Sequence, residues 1–268
     1  QSTPKALKEY EASKAVEKFR ELINKSRAIS PTYKRALRQF NRAFAINGET
    51  KAYMAKALGR ECELLSELAI TDNLKNLDIT KTYKDKTVKL VYVGRLIEKK
   101  GLMLLLDVIK ELPSGLDFTL DIYGDGPLKE KMQRFVSCNR LDDKVKILGA
   151  VEHSKISAAY SDADVFIMPS LRETSGTVLV EAMAHKLPIV ALDMSVCSEF
   201  KKYDCGMFVN VYQSKESLIS EFADKLSQLI NSPELRIKLG EKGYAFANSE
   251  LTWENKFKKV YADFIQQD

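Results

Sequence analysis

"DVFIMPSLRETSGTVLVEAMAHKLPIVALD" (residues 164–193) carries the fold in miniature. "DVFIMPS" (164–170) and "LPIVALD" (187–193) are short apolar runs rich in Val, Ile and Phe and bounded by Pro or Asp, the signature of buried strands. Between them "TSGTVLVEAMA" (174–184) reads as a helix entered through a glycine. The same alternation extends both ways. Strands are expected at "KLVYVG" (89–94), "FTLDIYG" (118–124), "KVKILG" (144–149) and "GMFVNV" (206–211). Amphipathic stretches such as "LMLLLDVIKEL" (102–112) and "PLKEKMQRFVSCNRL" (127–141) separate them, and helices over roughly 213–232, 234–248 and 252–266 close the chain. Alternating strands and helices, with near-continuous apolar strands, predict an α/β domain with a doubly wound parallel sheet covered on both faces.

At 268 residues and 45% hydrophobic, the chain can fill one large or two modest cores. The first 75 residues are different in kind. "KALKEYEASKAVEKFRELIN" (5–24) is a charged amphipathic helix, and Pro31 starts another. "RAFAIN" (42–47) and "CELLSELAI" (62–70) read as strands flanking a helix at 48–58. So small a strand–helix–strand piece cannot close a large sheet alone. The expected division is a smaller, mostly helical remnant at 1–75, a polar linker at 76–87, the large domain at 88–250 and a C-terminal helix at 251–268 that crosses back to the N-terminal part.

The formal net charge of +5 suits an anionic ligand. No basic tract is interleaved with aromatics, so nucleic acid is not an expected partner. Four scattered cysteines (Cys62, Cys138, Cys197, Cys205) and two histidines (His153, His185) argue for reduced thiols in a cytosolic setting and against structural zinc. No apolar run approaches the ~20 residues of a membrane span. The chain opens on Gln1, which suggests that an upstream portion is missing.

In open α/β sheets ligands sit beyond the carboxyl ends of strands, and four segments there carry unusual residues. In "YVGRLIEKKG" (92–101), Gly94 permits a tight turn, Arg95 is a forked donor suited to phosphate oxygens, and Lys99 or Lys100 adds a charge where a helix starts. A solvated basic loop explains this segment equally well. "YGDGP" (123–127), with Gly124, is a common kind of strand-to-helix turn and says little alone. In "PSLRETSGTVLVEAMA" (169–184), a helix beginning near Ser175 or Gly176 would offer free amides to a diphosphate. Glu173 precedes that helix and Glu181 lies inside it, too far along for a close carboxylate pair. An acidic first turn also suits the helix dipole. Glu181, however, stands in an apolar stretch, where a carboxylate needs a partner. "LDMSVCSEF" (192–200), with Glu199, means little by itself.

Taken in order, G-R-L-x-x-x-K-G, Y-G-D-G-P, P-S-x-x-E-x₇-E-A-M-A and L-P-I-V-A resemble the donor half of a family 4 glycosyltransferase of the GT-B fold, over about residues 88–250. The resemblance implies transfer of a sugar from a UDP- or GDP-linked donor to a glycan or lipid-linked acceptor. Retained anomeric configuration is implied, and no cofactor or bound metal. Arg95 and Lys100 would neutralise the donor's diphosphate. Glu173 would contact the transferred sugar, and Glu181 the ribose hydroxyls. Gly94, Gly124, Ser175 and the amides of Gly176, Thr177 and Val178 would border the phosphates, and the backbone at Leu148–Gly149 the base. A cytoplasmic location, or a peripheral one at the inner face of the membrane, goes with such acceptors.

The pattern departs from the family in three places. Ser175 and Thr177 replace a phenylalanine and an aliphatic residue beside Gly176, and Ser195 and Val196 stand where a Gly-Gly pair is usual. The third departure is the acceptor domain, of which only about 87 residues precede the large domain. The expectation is a C-terminal piece that binds donor but transfers poorly alone. Its remnant, with Phe40, Phe44, Tyr53, Met54 and Leu65, would meet a second copy or the missing domain. The rival expectation is a non-catalytic nucleotide-binding or interaction module, or one subunit of a split enzyme.

Overall fold

A computed structural model of the chain describes residues 4–10, 22–23, 26, 30–40, 42–46, 48–65, 68–81, 87–173 and 176–265. It divides into two compact units, Glu11–Glu67 with Gln1–Ser2, and Thr3–Tyr10 with Leu68–Asp268.

The large unit is built on six strands, β1 (Val88–Val93), β2 (Phe118–Tyr123), β3 (Val145–Gly149), β4 (Val165–Met168), β5 (Ile189–Leu192) and β6 (Gly206–Val209). All pair in parallel, in the spatial order β3-β2-β1-β4-β5-β6. Helices α1 (Leu102–Glu111), α2 (Lys129–Cys138), α3 (His153–Asp162), α4 (Thr177–Ala184), α5 (Lys215–Asn231), α6 (Pro233–Ser249) and α7 (Trp253–Ile265) alternate with the strands and then close the unit. Every residue of β4 and β5 is buried, as the unbroken apolar runs in the sequence require of strands covered on both faces. On β1, Leu90 and Tyr92 join one core with Leu104 and Leu105 of α1 and Phe222 and Leu226 of α5. Val91 between them faces the other core, with Phe166, Leu179 and Met183. This alternation makes the unit a three-layer α/β/α sandwich.

The strand order reverses between β1 and β4, which pair through Leu90–Val165 and Val91–Phe166. Loops leaving their carboxyl ends therefore diverge to opposite sides and leave a crevice, the place where ligands bind in sheets of this kind.

The start of the chain differs from the sequence expectation. Lys5–Tyr10 forms a 3-10 turn of the large unit, not part of a separate N-terminal piece. Leu7 is completely buried, and the Tyr10 hydroxyl donates to Asp107 of α1 at 2.5 Å. Glu9 pairs with Lys215 of α5. The helix expected over 5–24 otherwise falls largely outside the described residues.

The segment before β1 also differs. Leu68, Ile70 and Leu74 belong to the large unit's core. The Ile70 amide donates to the Leu251 carbonyl at 2.6 Å, the Asn76 amide to Asn248 at 2.7 Å, and the Tyr244 hydroxyl to the Leu77 carbonyl at 3.1 Å. Lys81 donates to the carbonyls of Tyr160, Ser161 and Ala163 at the end of α3. The expected linker is thus fastened down over 76–81.

In the small unit, Phe44–Ala45 pairs in parallel with Glu63–Leu64 around a helix at Gly48–Leu58. This is the strand–helix–strand read from the sequence, with shorter strands. Arg42 grips Glu63 through two bonds of 3.0 and 2.9 Å. Among the described residues no helix is long and apolar enough to cross a membrane.

Candidate functional site

Three loops meet at the mouth of the crevice. The ends of β1, β2 and β3 are stitched side by side: the Gly94 amide donates to the Tyr123 carbonyl at 3.0 Å, and the Gly124 amide to the Gly149 carbonyl at 2.8 Å. Gly124 has a φ of 138°, and a Cβ there would run into the Gly94 carbonyl. The two turns approach this closely only because position 124 carries no side chain. Further along, the Leu96 amide donates to Asp125 at 2.9 Å and the Leu128 amide to Leu96 at 3.0 Å. Arg95 projects from this scaffold and is exposed, and the Tyr92 hydroxyl donates to its carbonyl at 3.2 Å.

The loop after β4 is held against the first in the same way. The Lys99 carbonyl accepts from the amides of Leu171 at 3.0 Å and Arg172 at 3.3 Å. That clasp brings Lys100 to Glu173, and the two form an ion pair with both side chains largely buried. Glu173 uses its second oxygen to accept from the Gly176 amide at 3.3 Å. Gly176 then enters α4 in the left-handed conformation, at φ 67°, with no side-chain cap on the helix. The amides of Thr177 and Val178 open the first turn, while that of Leu179 returns to the Gly176 carbonyl at 2.8 Å. Thr177 is exposed and Val178 half-buried, and Ser175 lies outside the described residues. A lysine, the first-turn amides of a helix and an exposed arginine therefore border one crevice, an arrangement able to receive an anion.

Glu181 sits a turn further along α4. Its Oε2 accepts from the Tyr160 hydroxyl at 3.1 Å, and its Oε1 lies 3.8 Å from Nε2 of the exposed His153. The carboxylate thus has the partner its apolar neighbourhood demands. His185 secures the same turn. Its Nδ1–H donates to the Glu181 carbonyl at 2.7 Å, and its Nε2 lies 3.1 Å from the Ser157 hydroxyl, from which a neutral imidazole accepts. Burial lowers its pKa from the ordinary 6.5, in the same sense. At the far edge Leu148 is exposed beside Gly149.

The structure bonds Lys100, Glu173 and Gly176 directly and joins Gly94, Gly124 and Gly149 through strand ends. Val196 is buried against Gly176, and Ser195 beside it takes a positive φ of 53°. Tyr160 and His185 escaped sequence reasoning, because a tyrosine or histidine on an apolar helix face reads as ordinary core.

Residues 75–246 match the family described as "Glycosyl transferases group 1". The chain belongs to this family. The GT-B resemblance carried by the motifs is upheld by that match. Among curated relatives, this group 1 chain is 28% identical over 179 residues to "Uncharacterized glycosyltransferase MJ1178" of Methanocaldococcus jannaschii, covering 65% of the chain and 47% of that protein. It is 29% identical over 153 residues to "Alpha-D-kanosaminyltransferase" of Streptomyces kanamyceticus, covering 56% of the chain and 38% of that protein. The chain therefore spans half or less of the length of these relatives. Its fold matches that of Alr3699/HepE of Anabaena, solved in complex with UDP and glucose, with a TM-score of 0.67 at 18% identity, over 90% of this chain and 68% of that one.

Proposed function

We propose that this group 1 chain supplies the nucleotide-sugar-binding half of a retaining glycosyltransferase acting on a glycan or lipid-linked acceptor. The observation that carries the reading is the start of α4, where the Thr177 and Val178 amides open the first turn beside the Lys100–Glu173 ion pair at the reversal point of the sheet. UDP and glucose in the Anabaena protein of the same fold favour a UDP-linked donor.

In this reading the acceptor hydroxyl forms a bond to the anomeric carbon as the bond from that carbon to the β-phosphate oxygen breaks. The nucleoside diphosphate leaves with the electron pair, and the hydroxyl proton goes with it. Negative charge grows on the β-phosphate, so fixed donors aimed there lower the barrier. Arg95, Lys100 and the amides of Thr177 and Val178 are assigned to that charge, the Gly176 amide being held by Glu173 instead. Glu173 holds the sugar, Glu181 takes the ribose hydroxyls, and the backbone at Leu148–Gly149 borders the base. Gly94 and Gly124 let the first two loops come close enough to frame the diphosphate.

One assay tests the reading. The chain is incubated with UDP- and GDP-sugars and a glycan acceptor, alone and with the N-terminal half of a relative added. Binding with little transfer alone, and transfer restored by the added half, is the expected result. Robust transfer by the chain alone would remove the half-enzyme proposal.

A further inference from the structure

The strongest unassigned group near the crevice is Tyr160, on α3 just before β4. It is 1% exposed, yet its hydroxyl ends on a carboxylate that is 16% exposed. The tyrosine therefore reaches Glu181 from inside the protein, and one edge of the carboxylate stays toward solvent. Oε2 is held from behind by Tyr160, while Oε1 faces the exposed His153. Burial and the neighbouring Glu181 charge raise the phenol pKa, so the phenol keeps its proton and donates.

The aromatic ring is fixed independently of that bond. Its centroid lies 5.9 Å from that of Phe166 and 5.3 Å from that of His185. His185 in turn donates to the Glu181 carbonyl and accepts from Ser157 on α3. Backbone and side chain of Glu181 are thus clamped from one side by two residues that contact each other. A half-buried glutamate without these contacts would sample several rotamers, and holding one is what makes a carboxylate selective for a pair of vicinal hydroxyls.

We infer that Tyr160 is a positioning residue for nucleotide recognition: its hydroxyl locks the Glu181 carboxylate in the orientation that accepts both ribose hydroxyls of a nucleoside diphosphate. This deepens the proposed role of Glu181 and rests on it. The plain alternative is a core tyrosine whose hydroxyl merely finds a partner.

The two accounts separate on ribose discrimination. UDP and GDP, and the 2′,3′-dideoxy counterpart of whichever binds more tightly, are titrated calorimetrically into the chain and into Tyr160→Phe and Glu181→Gln. Phe keeps the ring contacts, and affinity for the dideoxy compound reports that the site is folded. Tyr160→Phe is expected to weaken the ribonucleotide by about fivefold, the scale of one hydrogen bond, with dideoxy affinity unchanged, so that the preference for ribose narrows. Glu181→Gln is expected to abolish the preference. Should Glu181→Gln abolish it while Tyr160→Phe preserves it in full, Tyr160 is a core residue and the inference fails. A preference that survives in Glu181→Gln overturns the ribose assignment of Glu181 itself, and this inference with it.

Discussion

Lys100 and Glu173 neutralise each other across the crevice, one on the loop after β1 and one on the loop after β4, with side chains only 15% and 7% exposed. Two loops that are separated in sequence by three of the six strands are thereby fixed at one point. A buried pair of this kind is costly to break from one side, because the survivor stays buried without a counter-charge. Lys100→Met is expected to destabilise the large unit by about 3 kcal/mol. The double variant Lys100→Met/Glu173→Gln should lose clearly less than the sum of the two single changes. Urea denaturation of the four proteins checks this, and strict additivity would mean that the pair is not coupled.

Gly124 joins the first two loops by having no side chain. A Cβ at this position would strike the Gly94 backbone, and its φ of 138° is one that other residues rarely adopt. Gly124→Ala is therefore expected to cost about 2–4 kcal/mol. Gly115 has open space around it and serves as the control, with Gly115→Ala within about 0.5 kcal/mol of the parent. The comparison is a pair of chemical denaturation curves.

His185 should make stability depend on pH. Burial depresses its folded pKa below the ordinary 6.5, so as pH falls through that value the unfolded chain takes up a proton that the native state refuses. Unfolding free energy then declines below about pH 6.5, with a slope of at most about 1.4 kcal/mol per pH unit from this one group. Above pH 7 its contribution is constant. His185→Gln should flatten that part of the profile between pH 5 and 7, measured as the difference between the two proteins at each pH.

The first turn of the chain should contribute to the large unit's stability. Leu7 is completely buried among the core residues of that unit. Leu7→Ala is expected to lower the unfolding free energy by about 2–4 kcal/mol, and Tyr10→Phe, which removes the bond to Asp107, by about 1 kcal/mol. Values near zero for both would place Lys5–Tyr10 outside the cooperative unit.

The parallel sheet was legible because β4 and β5 are apolar at every position and are separated by a helix with its own period. Lys100 and Glu173 were legible as site candidates because charge at the carboxyl ends of strands is out of place in a core. Their ion pair was not, since nothing in the spacing of residues 100 and 173 says which loops touch. Lys5–Tyr10 misled for a similar reason: a charged amphipathic pattern fits a free helix as well as a short turn pinned by Leu7 and Tyr10. The segment 76–81 looked like a polar linker because its ties run through backbone groups and single side chains such as Lys81, which leave no periodic mark.

The crevice between β1 and β4 is proposed to hold the diphosphate and ribose of a nucleotide sugar. The most direct test is a thermal-shift panel with UDP, GDP and ADP on the parent chain, Arg95→Ala and Glu181→Ala. A nucleotide present at about 100 times its dissociation constant adds about 2.7 kcal/mol to folded stability, a rise of several degrees in Tm. Nucleotide binding in this crevice should give a shift with one nucleotide, UDP foremost, that is lost in both variants. A shift that persists undiminished in both, or none with any of the three, would contradict it.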